Sequence, residues 1–166
     1  GDHRGGEGGA VYGLPELWRE GVREAELVAN PGCYPTGALL GLAPAVRHGL
    51  VDRGRVVVID AASGVTGAGR AVRRDLLFGE VAEDYRAYGV GNQHRHVPEL
   101  ARGMERLGGA PPFIFTPHLL PVRRGILATM YVPVKARLST VEAVGLWSEV
   151  FAGEAFVEVV PAGALP

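Results

Sequence analysis

The spacing of apolar residues changes rhythm several times along the chain, and each rhythm predicts an element. Between Thr36 and His48 the apolar positions (Leu39, Leu40, Leu42, Ala43, Val46) fall nearly all round a helix closed by Gly49. That helix is expected to be central and buried. Pro44 lacks a backbone N–H for its turn and is expected to kink or shorten it. A β-branched run over Arg55–Ala61 predicts a strand, as do Phe113–Leu119 and Gly125–Ala136, with shorter strands over Glu26–Ala29 and Phe156–Val160. Pro98–Leu107 places Leu100, Met104 and Leu107 on one helical face, with proline in its first turn and Gly108-Gly109 as its stop. Ser139-Thr140-Val141-Glu142 has the form of a capping box, and Val141, Val144, Trp147 and Phe151 follow as a helical stripe. Strands and helices alternate irregularly. The expected class is therefore α+β: a mixed, largely antiparallel sheet with helices packed on one face.

Composition narrows the partners. The 166 residues carry a net charge of −1 with no basic cluster, so nucleic acid and anionic membrane are poor partners. No apolar run approaches the roughly 18 residues of a membrane span. The single cysteine cannot form an internal disulfide, which points to a reducing compartment, the cytoplasm. Residues 1–10 are polar and glycine-rich and read as a flexible lead-in or a cut end. With a short Pro/Ala/Gly tail at the other end, the chain reads as a fragment.

The cysteine, Cys33, lies in Asn30-Pro31-Gly32-Cys33-Tyr34-Pro35-Thr36-Gly37, between a strand-like and a helix-like run. A thiol on the first turn of a helix meets unpaired N–H groups and the positive end of the helix dipole, which favour the nucleophilic thiolate. The competing reading is a small core filler. A nucleophile needs a proton acceptor and a means of holding an anion. His94 and His96 sit in a loop just before a predicted helix start; either a catalytic or a helix-capping role suits them. A zinc site built from them lacks a helical His pair or a second cysteine, and no metal is expected. Ser63-Gly64-Val65-Thr66-Gly67-Ala68-Gly69-Arg70 follows a strand. It is either a tight turn or a cradle in which backbone N–H groups, Ser63, Thr66 and Arg70 wrap a phosphate or carboxylate. Arg124, in Arg123-Arg124-Gly125 between two strands, either holds an anion or pairs with a carboxylate for structural reasons, and Tyr88 either binds substrate or packs in the core.

Taken together, the cysteine block, Ser63–Arg70, His94-Arg95-His96-Val97-Pro98-Glu99, Phe115-Thr116-Pro117-His118-Leu119 and Arg124-Gly125-Ile126-Leu127 resemble the N-acetyl-γ-glutamyl-phosphate reductases of arginine biosynthesis. Tyr12-Gly13-Leu14-Pro15-Glu16 also matches, and the blocks keep the family's order from Val11 to about Val160.

The resemblance implies a catalytic domain like that of glyceraldehyde-3-phosphate dehydrogenase and a reductive dephosphorylation. Cys33 would attack an acyl phosphate and form a thioester that NADPH reduces to the semialdehyde. His94 would be the general acid/base. Tyr88, Ser63, Arg70, Arg95, His96 and Arg124 would contact substrate, and Gly64, Thr66 and Gly67 would lie against the cofactor NADP. The family's Rossmann domain is missing here, since Gly5-Gly6-Glu7-Gly8-Gly9 has no flanking βαβ unit. On this reading residues 11–29 are a remnant of that cofactor domain or its linker, and residues 30–166 form the catalytic and substrate domain. Partners would be the acyl phosphate, the missing Rossmann domain and further copies in a homo-oligomer. The aminoadipyl-phosphate reductase of lysine biosynthesis, a cysteine hydrolase or acyltransferase, and a non-catalytic association domain are the alternatives.

Overall fold

Three long strands account for most of the sheet: β3 (Val57–Ser63), β5 (Phe113–Leu119) and β6 (Ile126–Tyr131). The computed structural model describes residues 9–164. A two-residue strand β4 (Arg86–Ala87) completes the order β4-β5-β3-β6. β3 pairs parallel with β5 and antiparallel with β6, and β4 pairs antiparallel with β5, so the sheet is mixed as expected.

Alternation sets the two faces of this sheet. Val57, Ile59 and Ala61 of β3 and Phe115 of β5 point inward and are buried. Against them pack α2 (Cys33–Arg47) and α4 (Val97–Leu107), with Leu39, Leu42, Leu100 and Met104 at the contact. Each such fully buried side chain is worth about 1.5–3 kcal/mol relative to exposure. Gly103 lets the two helices close, because a Cβ there would stand 2.4 Å from Leu39 Cδ1. The opposite face carries in-register rows Ile114–Val58–Tyr131 and His118–Ala62–Leu127, and Ile114, Tyr131 and Leu127 are exposed. Helices therefore cover one face only.

Several expectations need correction. α2 begins at Cys33, three residues earlier than Thr36, and runs through Pro44 to Arg47 without being shortened. Pro44 is fully buried in the core, and the Trp147 indole N–H donates to the adjacent Gly41 carbonyl at 3.0 Å. The first β-branched strand is shifted to Val57–Ser63. β6 stops at Tyr131, because the chain then turns to pair with residues 50–52: Asp52 N–H donates to Pro133 O and Lys135 N–H to Leu50 O. Phe156–Val160 is no strand. Val157 and Val159 pack on the core, yet Phe156 is 92% exposed and no strand among the described residues pairs with the segment.

α5 (Thr140–Val150) starts at the expected capping box, but Val141 of its stripe is exposed. Upstream, β1 (Val11–Tyr12), α1 (Pro15–Arg23) and β2 (Val28–Ala29) form a small parallel βαβ unit, of which the sequence reading anticipated only the second strand, over Glu26–Ala29. Its strands are too short to show alternation. Most of the lead-in, residues 1–8, lies outside the described residues, and Ala10 at its end is already buried.

Candidate active site

Cys33 is the first residue of α2, preceded by Gly32 in an extended conformation, and it is exposed. Gly32 is fixed from both sides. Its carbonyl accepts from Thr36 N–H and Thr36 Oγ1–H, each at 3.0 Å, and its N–H donates to Glu99 Oε1 at 2.8 Å. The same carboxylate oxygen accepts from Tyr12 O–H at 2.7 Å, which ties β1 to the cysteine turn. No larger residue fits at position 32: a Cβ would stand 2.6 Å from His96 Nε2 and 2.9 Å from Glu99 Oε2.

Cys33 opens onto a cavity of about 390 Å³, lined also by Tyr34, Ser63, Tyr88, His94 and Arg95. His94 is half-buried, with its ring edge-on to Tyr34, Tyr88 and Phe115 at centroid distances of 5.5, 5.6 and 5.5 Å. Burial, and secondarily the neighbouring Arg95 charge, lowers its pKa below the ordinary histidine value, so the ring is neutral at pH 7. Its Nδ1 accepts from His96 N–H at 3.1 Å, an arrangement that assigns the remaining ring proton to Nε2. His94 thus caps the approach to α4 and lines the cavity at once. Tyr34 O–H and Tyr88 O–H share a 2.7 Å hydrogen bond, and burial pushes the Tyr34 phenol well up, so it stays a neutral donor.

The structure gathers Cys33, His94, Tyr88, Ser63, Arg95, Gly64 and Gly67 around this cavity. His96 contributes to its floor but is only 2% exposed. Arg70, Thr66 and Arg124 are not among the lining residues. Of the two readings of Ser63–Arg70, tight turn or anion cradle, the backbone hydrogen bonds of its first residues fit the turn. The N–H groups of Gly64, Val65 and Thr66 donate to Gly125 O, Val122 O and Arg123 O, so they are spent on the neighbouring loop rather than offered to an anion. Thr66 Oγ1 also donates to Arg123 O, at 2.7 Å.

The cavity's remaining charge comes from Arg73, Asp75 and Arg86, which sequence reasoning missed. Arg73 pairs with Asp75 at 2.6 Å, while Arg86 donates to Asp75 O and pairs with Asp84. Arg86 had a signal: it stands two residues before Tyr88, hence on the same side of an extended segment. Arg73 had none. No group of three or more His, Cys, Asp or Glu poised for a metal occurs among the described residues, nor any helix long and apolar enough to cross a membrane.

A family profile described as "Semialdehyde dehydrogenase, dimerisation domain" matches residues 33–166. Three curated relatives bear the name N-acetyl-gamma-glutamyl-phosphate reductase. They come from Geobacter sp. (strain M21), Symbiobacterium thermophilum and Desulfotalea psychrophila, and are 49%, 51% and 46% identical over 158 residues. Those residues are 95% of this chain and 45% of each relative, so the chain spans about half the relatives' length. The crystal structure of aspartate semialdehyde dehydrogenase II from Vibrio cholerae superposes with a TM-score of 0.58 at 15% identity. That match covers 82% of this chain and 47% of that one, a likeness of fold.

Proposed function

The chain belongs to the semialdehyde dehydrogenase dimerisation-domain family, and on that premise we propose that it carries the acyl-transfer chemistry of an N-acetyl-γ-glutamyl-phosphate reductase. The observation that carries the reading is Cys33 at the first position of α2, opening onto one cavity with His94, Tyr88 and three arginines. Near-50% identity to reductases of that name supports the substrate class.

Cys33 Sγ attacks the acyl carbon as thiolate. The sulfur–carbon bond forms, the carbon–oxygen bond to phosphate breaks, and the bonding pair leaves with phosphate. His94, neutral and with Nδ1 occupied, keeps its proton and donates a hydrogen bond from Nε2–H to the departing phosphate oxygen; phosphate leaves as an anion, and the proton shed by the thiol passes to solvent. Arg73, Arg86 and Arg95 supply positive charge to the phosphate and the substrate carboxylate, and Tyr88 offers a hydroxyl. NADPH, when bound, supplies the hydride that reduces the thioester carbonyl. Cys33 then leaves as thiolate and the semialdehyde is freed. The residues present suit only the nicotinamide end of that cofactor. Gly64, Gly67 and Ala68 give the cavity a small-residue wall, and at Gly67 a Cβ would find nothing nearer than Ser63 Oγ at 3.8 Å. The rest of NADP belongs, on this proposal, to a separate Rossmann domain; the β1–α1–β2 unit of residues 11–29, expected as a remnant of that domain, instead packs with the catalytic domain, where Tyr12, Leu14 and Leu17 join its core.

Homo-oligomerisation through the uncovered sheet face is part of the same reading, supported by the family's description and by exposed Ile114, Leu127 and Tyr131. The free Cys33 thiol suits the cytoplasm. Single-turnover phosphate release tests the function. Mixing the chain with N-acetylglutamyl phosphate, without NADPH, is expected to release phosphate stoichiometric with Cys33. Equal or faster release from N-acetylaminoadipyl phosphate would contradict the substrate assignment.

A further inference from the structure

We infer that Asn92 is the positioning residue for His94: its carboxamide stands in for a missing strand on the edge of β5 and thereby fixes the ring in the cavity. The inference rests on the reading of His94 as the hydrogen-bond donor to the departing phosphate.

The edge of β5 is paired in two different ways along its length. Beside its C-terminal half, β4 supplies backbone partners (Arg86 opposite Leu119, Ala87 opposite His118), and Tyr88 N–H adds a bond to Pro117 O at 3.0 Å. The chain then leaves the edge at Gly89, whose φ of +55° turns it outward. Phe113 O and Phe115 N–H would be left without partners from this strand. Asn92 takes both: Phe115 N–H donates to Asn92 Oδ1 at 2.7 Å, and Asn92 Nδ2–H donates to Phe113 O at 2.8 Å. One side chain thus makes the pair of bonds a strand residue would make.

The geometry needs asparagine specifically. Its φ is +60°, a left-handed conformation that asparagine tolerates better than most residues, and its short side chain carries a donor and an acceptor side by side next to the backbone. The turn is closed by Gln93 N–H on Gly89 O, and Gly89 lies close to His94, since a Cβ there would stand 3.2 Å from His94 Cβ. His94 follows two residues after Asn92, and its ring packs on Phe115, the residue Asn92 clamps. Clamp and catalytic ring share one anchor. The titratable and charged groups facing His94 are Arg95 beside it, Tyr34, Tyr88 and His96 around the ring, and Cys33, Arg73, Asp75 and Arg86 lining the same cavity.

The test uses the intact chain and two readouts: long-range proton–nitrogen NMR of the His94 ring across pH, and single-turnover phosphate release from N-acetylglutamyl phosphate. Asn92→Gly keeps the left-handed backbone and loses both bonds. The ring is expected to pass from one Nε2–H tautomer to a mixture, and its midpoint to rise toward the ordinary value of about 6.5. Phosphate release is expected to slow about tenfold while Cys33 alkylation by iodoacetamide is retained. Asn92→Asp keeps the acceptor for Phe115 N–H and is expected to fall between. An unchanged tautomer and midpoint in a folded Asn92→Gly variant would overturn the inference; if that variant loses its near-ultraviolet circular dichroism, the same ring signals in Asn92→Asp decide. Unchanged phosphate release in His94→Ala would instead refute His94's assigned role, with the ring signals of the Asn92 variants still deciding the clamp.

Discussion

Glu99 Oε1 accepts a hydrogen bond from the Gly32 amide at 2.8 Å, so a buried carboxylate on α4 holds the residue immediately before the reactive cysteine. The same oxygen takes Tyr12 O–H. Glu99→Ala removes the acceptor for both and is expected to cost about 2–4 kcal/mol. Glu99→Gln keeps an acceptor oxygen and should cost clearly less. Urea unfolding of the two variants checks this; equal losses would mean that the charge, not the hydrogen bonding, matters.

Three glycines separate steric from conformational needs. At Gly64, a Cβ would stand 2.6 Å from Arg124 N, and backbone cannot step aside, so Gly64→Ala is expected to cost about 1–3 kcal/mol. Gly32→Ala meets His96 and Glu99 side chains and should fall in the same range while also disturbing Cys33. Gly37→Ala, inside α2 with nothing within 4 Å of its Cβ, should gain about 0.5–1 kcal/mol. Thermal unfolding of the three would show the opposite signs.

How far the sequence disclosed these features depends on how local they are. The capping box at Ser139 and Glu142, the strand Phe113–Leu119 and the helix ending at Leu107 depend on neighbours along the chain, and the structure has them where the pattern put them. The Glu99–Gly32 bond spans 67 positions and leaves no periodic trace. Arg70 and Arg124 looked like anion partners because glycine-rich loops invite that reading. In the fold the two loops spend their backbone groups on each other, and Arg73 and Arg86 line the cavity instead. Pro44 misled for a related reason: helix propensity weighed against it, but tertiary burial in the core overrides propensity.

His94 gives stability a pH dependence of known sign. Its folded pKa lies below the unfolded value, so the unfolded chain binds the extra proton between the two. The stability present above the unfolded value of about 6.5 is therefore lost as pH falls toward the folded pKa. Urea midpoints at pH 7.5 and pH 5 should differ more for the parent than for His94→Gln. A difference of the same size in both would show that His94 does not titrate this way.

Ser139→Ala removes the side-chain oxygen that accepts from Glu142 N–H and should destabilise α5 by about 1 kcal/mol. Because Trp147 of α5 bonds the Gly41 carbonyl of α2, the loss should register in indole fluorescence as well as in the unfolding midpoint.

Intact-mass spectrometry after mixing the chain with N-acetylglutamyl phosphate, in the absence of NADPH, tests the central claim most directly. The account predicts one N-acetylglutamyl adduct that maps to Cys33, appears with released phosphate and is absent from Cys33→Ser. An unmodified chain, or an adduct that survives in Cys33→Ser, would contradict it.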